Sequence, residues 1–210
     1  MRKKSSSRHS KIDYDNRKVG KRKWFLIVCE GEKTEPNYFR SFPVDRNLIK
    51  LKIEGEGKNT KSLVEKAIEL KNDTEYHETN RFWCVFDRDI NGKNSHDAQN
   101  FNAAMTLAKN NGIKVAYSND AFELWYLLHF HFYNTGISRN NYQNMLTKLL
   151  GHEYQKNSET IYEELKSKQQ DAIKHAKRLL LEYDRPNPES DNPSTTVHLL
   201  VEELNSFIPD

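Results

Sequence analysis

Two aspartates separated by one residue, Asp87 and Asp89, have a spacing that could hold a metal ion between them. Because alternate residues of an extended chain point to opposite faces, these two can point the same way while Arg88 points away. Adjacent carboxylates repel unless a cation lies between them, and a hard divalent cation with oxygen ligands, Mg²⁺ or Mn²⁺, answers that need. A further carboxylate, Glu30, is followed by Gly31, which allows a sharp turn and a close approach by a substrate.

The elements that must position these carboxylates are two apolar runs of strand length. Residues 24–29 end at Glu30, and residues 81–86 end at Asp87. Continuous apolar runs of this length are typical of strands buried on both faces, and ligand sites of open α/β sheets lie beyond the carboxyl ends of such strands. We therefore expect both groups of acids at one edge of a sheet. The alternative is that they are ordinary helix caps and solvated turns, because a lone Asp-x-Asp pair is weak evidence.

The rest of the chain predicts an α/β fold, because strand and helix patterns alternate along its first two thirds. This order favours a mostly parallel, doubly wound sheet with a helical C-terminal region. The expected strands are 24–29, 48–54, 81–86 and 113–118, the expected helices between them begin near 34, 60, 96 and 118, and the C-terminal helical patterns are 139–151, 159–184 and 195–206.

The charged residues are distributed unevenly along the chain. Residues 1–23 carry ten Lys or Arg and two Asp, a net charge of +8, whereas the remainder carries 23 basic and 28 acidic residues, a net charge of −5. We expect residues 1–23 to form a flexible basic arm, residues 24–134 the α/β core, and residues 135–210 a helical region packed on that core. Such an arm either contacts nucleic-acid phosphates or is a solvated tail.

The sequence also favours a cytoplasmic protein. No apolar run reaches the roughly 18 residues needed to span a bilayer, and the basic N-terminal segment lacks the apolar core of a secretory signal. The cysteines, Cys29 and Cys84, lie inside the apolar runs, so we expect them to be small buried hydrophobic side chains in a reducing compartment.

Four motifs in order carry a family resemblance. They are VCEGEKTEPNYF at 28–39, FDRD at 86–89, SNDAFELWYLLHF at 118–130 and NPSTTVHLLVEEL at 192–204. A Glu after the first strand with an Asp-x-Asp after the third resembles the Toprim domain, the metal-dependent catalytic fold of topoisomerases, primases and several nucleases. The four motifs together look like the RloB-like family, also called RloB/AbiLii, over about residue 14 to the end.

The resemblance implies a Toprim-like fold and a set of roles. Glu30 matches the Toprim glutamate expected to act as general acid or base, and Asp87 and Asp89 match the metal-binding pair. RloB-like proteins are bacterial and are associated with restriction and abortive-infection loci, often beside an ABC-type ATPase, which implies a role in antiphage defence. The third motif has Asp120 where the family more often has Pro, a mild departure because both residues suit a helix start.

Three further residues are candidates for the catalytic site. Glu123 is assigned as an additional metal ligand, and the alternative is a first-turn acid that complements the helix dipole. Lys33 is assigned a catalytic role, binding a phosphate oxygen as a point charge, and the alternative is a surface lysine. Glu35 is expected to cap the helix that begins at Thr34, with an approach to the metal as its alternative role.

The predicted substrate contacts are Gly31, Arg88, Lys93, Ser194 and His198. Arg88 and Lys93 would meet the substrate beside the aspartates, since one lies between them and the other lies in the loop that follows. Ser194 and His198 belong to the fourth motif, where the free N–H groups of a helix start would bind an anion. Plain helix capping is the alternative for that segment.

These expectations lead to two hypotheses of function. The first is an Mg²⁺-dependent nuclease that hydrolyses phosphodiester bonds of DNA or RNA in bacterial antiphage defence. The second is a non-catalytic Toprim-like module that binds and regulates a partner ABC-type ATPase. The sequence contains neither an RNA-recognition motif nor a DNA-reading helix of the usual kinds, so both nucleic acids stay open. The oligomeric state also stays open, with a homo-oligomer among the alternatives.

Overall fold

The computed structural model describes residues 23–57, 59–73, 81–89 and 96–209 of the 210-residue chain. The predicted basic arm lies outside the described residues, apart from Lys23 at its end, and so does Lys93. No helix in the described ranges is both long enough and apolar enough to cross a membrane.

A single five-stranded sheet forms the centre of the described fold. Its strand order is β2-β1-β3-β4-β5, with the first four strands parallel and the short β5 antiparallel to β4. The strands are β1 (Lys23–Cys29), β2 (Ile49–Gly55), β3 (Arg81–Asp87), β4 (Lys114–Asn119) and β5 (Ser194–Thr195).

Helices cover both faces of this sheet. Helices α2 and α3 pack on one face, whereas α1 and the C-terminal helices pack on the other. The bounds are α1 (Thr34–Arg40), α2 (Thr60–Asn72), α3 (His96–Asn110), α4 (Glu123–Leu128), α5 (Arg139–Leu150), α6 (Ile161–Leu165), α7 (Gln169–Leu180) and α8 (Val197–Asn205), with a 3₁₀ turn at Lys166–Lys168 between α6 and α7.

The apolar runs form strands because both of their faces are buried. In β1, Phe25 and Ile27 point into the core beneath α1 and the C-terminal helices, whereas Leu26 and Val28 point into the core beneath α2 and α3. Each of these side chains is at most 1% exposed. Burying a side chain of this size stabilises the fold by roughly 1.5–3 kcal/mol, so a strand with two buried faces must be apolar at every position.

The chain reverses its direction across the sheet between β1 and β3. β1 is followed by β2 on one side, and the chain then crosses back to β3 on the other side. The strand ends on either side of this switch point are tied together, because the Glu30 N–H donates to the Val85 carbonyl at 2.9 Å. In doubly wound sheets this position forms a crevice. The prediction of an α/β, mostly parallel, doubly wound sheet with a helical C-terminal region is confirmed.

Three local expectations were wrong. The sequence predicted no fifth strand, but Ser194–Thr195 adds one to the sheet edge. The apolar segment after residue 118 is helical only over Glu123–Leu128, and the single helix expected over 159–184 is divided by the 3₁₀ turn. Thr34 is the first residue of α1, and its hydroxyl donates to the carbonyl of Lys156 at 3.0 Å.

Candidate functional site

A cavity of about 490 Å³ opens at the carboxyl ends of β1 and β3, at the switch point of the sheet. Its walls come from the strand ends, from the starts of α1, α2 and α4, from α3, and from the C-terminal region. The charged side chains that line it are Glu30, Glu35, Asp87, Asp89, Glu123, Arg88, Arg139 and Lys156.

Glu30 is held by two hydrogen bonds at the end of β1. Its Oε1 accepts from the hydroxyl of Thr60 at 3.1 Å, and its Oε2 accepts from the backbone N–H of Asp87 at 3.1 Å. Burial raises the pKa of Glu30, and these two bonds oppose that rise because they favour the charged form. Glu30 is therefore a positioned carboxylate that holds a proton more readily than an ordinary glutamate.

Asp87 and Asp89 point to the same side of the chain, where they share one partner. The guanidinium of Arg139 contacts Oδ2 of Asp87 at 3.1 Å with one nitrogen and Oδ2 of Asp89 at 2.8 Å with the other. Arg88 points elsewhere, with its guanidinium over the ring of Phe101. The alternation expected from the strand geometry is thus present, and the cation between the aspartates is an arginine.

The pKa of Asp87 is raised well above its usual value. Burial is the largest cause, and the carboxylate of Glu35 is the next, while Arg139 acts in the opposite direction. The same aspartates raise the pKa of Arg139 against the effect of its own burial. The positive charge of Arg139 alone therefore does not balance the negative charge of the carboxylates in this cavity.

Glu35 lies buried beneath Gly31, whereas the sequence favoured a helix cap and kept an approach to the metal as the alternative. Its carboxylate accepts a long hydrogen bond of 3.4 Å from the Gly31 N–H, and it is 5% exposed. A Cβ atom on Gly31 would lie 2.2 Å from Oε2 of Glu35, so any other residue here would displace that carboxylate. Burial raises the pKa of Glu35 to about 7, and the carboxylates of Glu123 and Glu30 add to that rise.

Glu123 begins α4 and is buried under a loop of the C-terminal region. The hydroxyl of Tyr154 donates to its Oε1 at 3.3 Å, and the ammonium of Lys156 lies 3.6 Å from the same oxygen. Thr34 and Asn37 of α1 both donate side-chain hydrogen bonds to carbonyls of this loop, at 3.0 Å each. The C-terminal region is therefore anchored to α1 and completes the cavity wall.

The structure brings most of the predicted site residues together. Glu30, Gly31, Asp87, Asp89, Glu123 and Arg88 all line the cavity. The guanidinium of Arg88 donates to the backbone carbonyl of Asp89 at 2.7 Å. Lys33 does not line the cavity and is exposed in the turn before α1, and Lys93 lies outside the described residues.

Ser194 and His198 are placed away from this cavity, which corrects the expectation of a helix start facing the site. Ser194 is fully buried in β5, where its hydroxyl donates to the carbonyl of Asp191 at 2.7 Å. His198 is 2% exposed in α8, and burial lowers its pKa to about 4. Both side chains belong to the interior of the protein, because the fourth motif pairs with β4 before it becomes helical.

Sequence reasoning missed Arg139, Tyr154 and Lys156. Arg139 lies 50 and 52 residues from the aspartates that it contacts. Nothing in its local pattern distinguishes it from other basic residues of polar helices. Glu35 carried a signal that was underused, because an acid in the first turn of a helix that begins at a strand end must lie near that edge of the sheet.

The donors of the cavity fit a hard divalent cation, since its five carboxylates offer only oxygen atoms and excess negative charge. The described residues nevertheless contain no group of three His, Cys, Asp or Glu already arranged to hold a metal ion. The guanidinium of Arg139 occupies the space beside the aspartate pair instead. Binding of Mg²⁺ or Mn²⁺ therefore requires side chains to rearrange.

Comparison with known proteins gives one match. A family model described as RloB-like protein matches residues 25–204, which is most of the chain and includes every residue of the cavity. Neither a curated protein nor a solved structure matches the chain. The likeness to the Toprim fold in particular stays a prediction.

Proposed function

The chain belongs to the RloB-like family, and from that premise and the acidic cavity we propose that it is a divalent-metal-dependent nuclease. It would hydrolyse phosphodiester bonds of DNA or RNA with Mg²⁺ or Mn²⁺. Antiphage defence, by restriction or abortive infection, is the biological role proposed with it, on the basis of the family resemblance.

The observation that carries this proposal is the convergence of five carboxylates on one cavity at the switch point of a parallel sheet. They come from four different elements of the chain. Two of them, Glu35 and Glu123, are at most 5% exposed, although burying a carboxylate is costly. Clusters of buried acids with shifted pKa values are typical of functional sites, where their negative charge binds a ligand.

The roles of the individual residues follow from their positions. Asp87 and Asp89 would hold the cation, with Glu123 or Glu35 as a further ligand. A bound divalent cation would neutralise charge on the phosphate and activate a water molecule. Glu30, held by Thr60 and with a raised pKa, is suited to accept a proton from the attacking water or to donate one to the leaving oxygen.

Cations of the cavity supply the means to bind a phosphate. Lys156 is 60% exposed at the side chain and its ammonium lies 3.6 Å from Oε1 of Glu123, so it can reach a ligand in the cavity. Arg88 also lines the cavity, where it stacks over Phe101. The basic segment 1–23, with a net charge of +8, would add contacts with the nucleic-acid backbone.

The test is cleavage of labelled single- and double-stranded DNA and RNA by the purified protein with Mg²⁺, with Mn²⁺ and with EDTA. We expect metal-dependent cleavage of at least one substrate and its loss in Glu30→Gln and in Asp87→Asn/Asp89→Asn. Glu32→Gln, an exposed acid of the same segment, is the control and should cleave normally. Cleavage that survives in the Asp87→Asn/Asp89→Asn variant would remove this cavity from the mechanism.

A second candidate is a non-catalytic module that binds and regulates an ABC-type ATPase partner. The observation that favours it is the ion pairing of both aspartates with Arg139, which satisfies them without a metal. A pull-down with the candidate ATPase distinguishes the two. The module predicts that Glu30→Gln leaves both partner binding and ATPase regulation unchanged, whereas the nuclease loses its activity in that variant.

A further inference from the structure

Arg139 is the first residue of α5 and reaches the acidic edge from the C-terminal region. Its guanidinium is forked between the two aspartates, with contacts of 3.1 Å to Asp87 and 2.8 Å to Asp89. An arginine fork fixes two carboxylates with a defined geometry that a flexible lysine does not provide. The side chain is 39% exposed, so it can leave this position without unfolding the helix that carries it.

The other cations of the cavity have different partners. Lys156 lies beside Glu123, and Arg88 donates to a backbone carbonyl while its guanidinium stacks over Phe101. Among the cations of the cavity in the described part of the chain, Arg139 is therefore the one paired with both aspartates. It uses one Oδ2 oxygen of each aspartate, and these oxygens are among those that a metal ion at this edge would need.

We propose that Arg139 is a resident counter-ion that competes with the divalent metal for Asp87 and Asp89. This inference rests on the proposed function, because it assigns the metal to those two aspartates. A guanidinium on Oδ2 of each aspartate and a divalent cation bound to the same two carboxylates repel each other, so each weakens the binding of the other. Metal binding is thus stronger when Arg139 swings away, and its guanidinium then points into the cavity, where a substrate phosphate offers it a new partner.

Because Arg139 competes with the metal, the free protein binds the metal more weakly than the same carboxylates would without Arg139. It also couples the two ligands, since a phosphate that captures Arg139 removes the competitor of the metal. By linkage, the metal must raise the affinity for the phosphate by the same factor. The aspartates thus keep a counter-ion in the free protein, and metal and substrate together displace it more readily than either does alone.

The test is calorimetric titration of Mn²⁺ alone into the metal-free full-length protein and into Arg139→Gln. We expect Arg139→Gln to bind Mn²⁺ about tenfold more tightly, within the ordinary range of coupling between sites. Lys148→Gln is the matched control, because it removes the same charge from an exposed position of the same helix and should leave the affinity unchanged. Wild-type or weaker affinity in Arg139→Gln overturns the proposal.

A second variant and a second measurement keep the test independent of folding problems. Arg139→Lys retains the charge but loses the fork, and we expect its Mn²⁺ affinity to lie between those of the wild type and Arg139→Gln. In EDTA, Arg139→Gln should melt at a lower temperature than the wild type, and saturating Mn²⁺ should raise its melting temperature by more. A smaller rise than in the wild type contradicts the competition.

The outcomes separate this inference from the nuclease proposal. Tighter Mn²⁺ binding by Arg139→Gln, without cleavage of any nucleic acid by the wild type, supports the counter-ion and refutes the nuclease. Metal-dependent cleavage with unchanged affinity in Arg139→Gln refutes the counter-ion and leaves the nuclease standing. Failure of both proteins to bind Mn²⁺ refutes both.

Discussion

Replacing Glu35 by Gln should stabilise the metal-free protein at alkaline pH. The pKa of Glu35 in the folded protein is about 7 because the side chain is buried among other carboxylates, against an ordinary value of 4.5. Protonated Glu35 therefore suits the fold better than the charged form. The contribution of protonated Glu35 to the free energy of unfolding is fully present below pH 4.5. It is lost as the pH rises through about 7 and does not change further above that.

The size of this effect follows from the two pKa values. They differ by about 2.5, and one pKa unit corresponds to about 1.4 kcal/mol, so charging Glu35 costs the folded state about 3 kcal/mol at pH 8. Gln has nearly the same shape as the protonated acid and carries no charge at any pH. We expect Glu35→Gln and the wild type to have similar stabilities near pH 5, and the variant to be up to about 3 kcal/mol more stable at pH 8.

The assay is urea unfolding in EDTA at pH 5, 6, 7 and 8, followed by tryptophan fluorescence. Glu32→Gln is the control, because Glu32 is exposed in the same turn and should change neither the stability nor its pH dependence by much. The reasoning is refuted if Glu35→Gln loses stability between pH 5 and 8 as steeply as the wild type does. Equal destabilisation of the variant at every pH would show that the carboxylate is needed for packing instead.

Three further substitutions test the framework of the site by the free energy of unfolding. Gly31→Ala places a Cβ atom 2.2 Å from Oε2 of Glu35, so we expect a loss of about 1–3 kcal/mol, and an unchanged stability would contradict the close approach. Tyr154→Phe removes the hydroxyl that donates to Glu123 and should cost about 1 kcal/mol, unless that bond is absent in solution. Asn59→Ala removes the side-chain cap of α2 and should cost about 1 kcal/mol, and no loss would argue against the cap.

The parts of the site that could be predicted from sequence are those that follow a strand directly. Glu30 follows β1 directly, Asp87 is the last residue of β3 and Asp89 lies two residues further on, so the parallel order of the strands already places them at one edge. The apolar runs identify those strands because both faces of each are buried. Local pattern and topology are sufficient for this half of the cavity.

The other half depends on packing between distant segments. Arg139 and Lys156 reach the cavity because α5 and the loop after it dock on α1 and α4, and no local periodicity encodes that docking. β5 consists of two residues whose strand character comes only from pairing with β4. The apolar segment of α4 is buried on all sides, so it has no amphipathic stripe from which its early end at Leu128 could be predicted.

Calorimetric titration of Mn²⁺ into the wild type and into Asp87→Asn/Asp89→Asn tests the central claim most directly, with circular dichroism to verify that both proteins are folded. The account predicts binding by the wild type and its loss in the double variant, because the two aspartates are the principal ligands. Equal binding by both proteins would place the metal elsewhere. No binding by the folded wild type, even with a nuclease-resistant nucleic acid present, would contradict the claim that this acidic edge is a metal-dependent site.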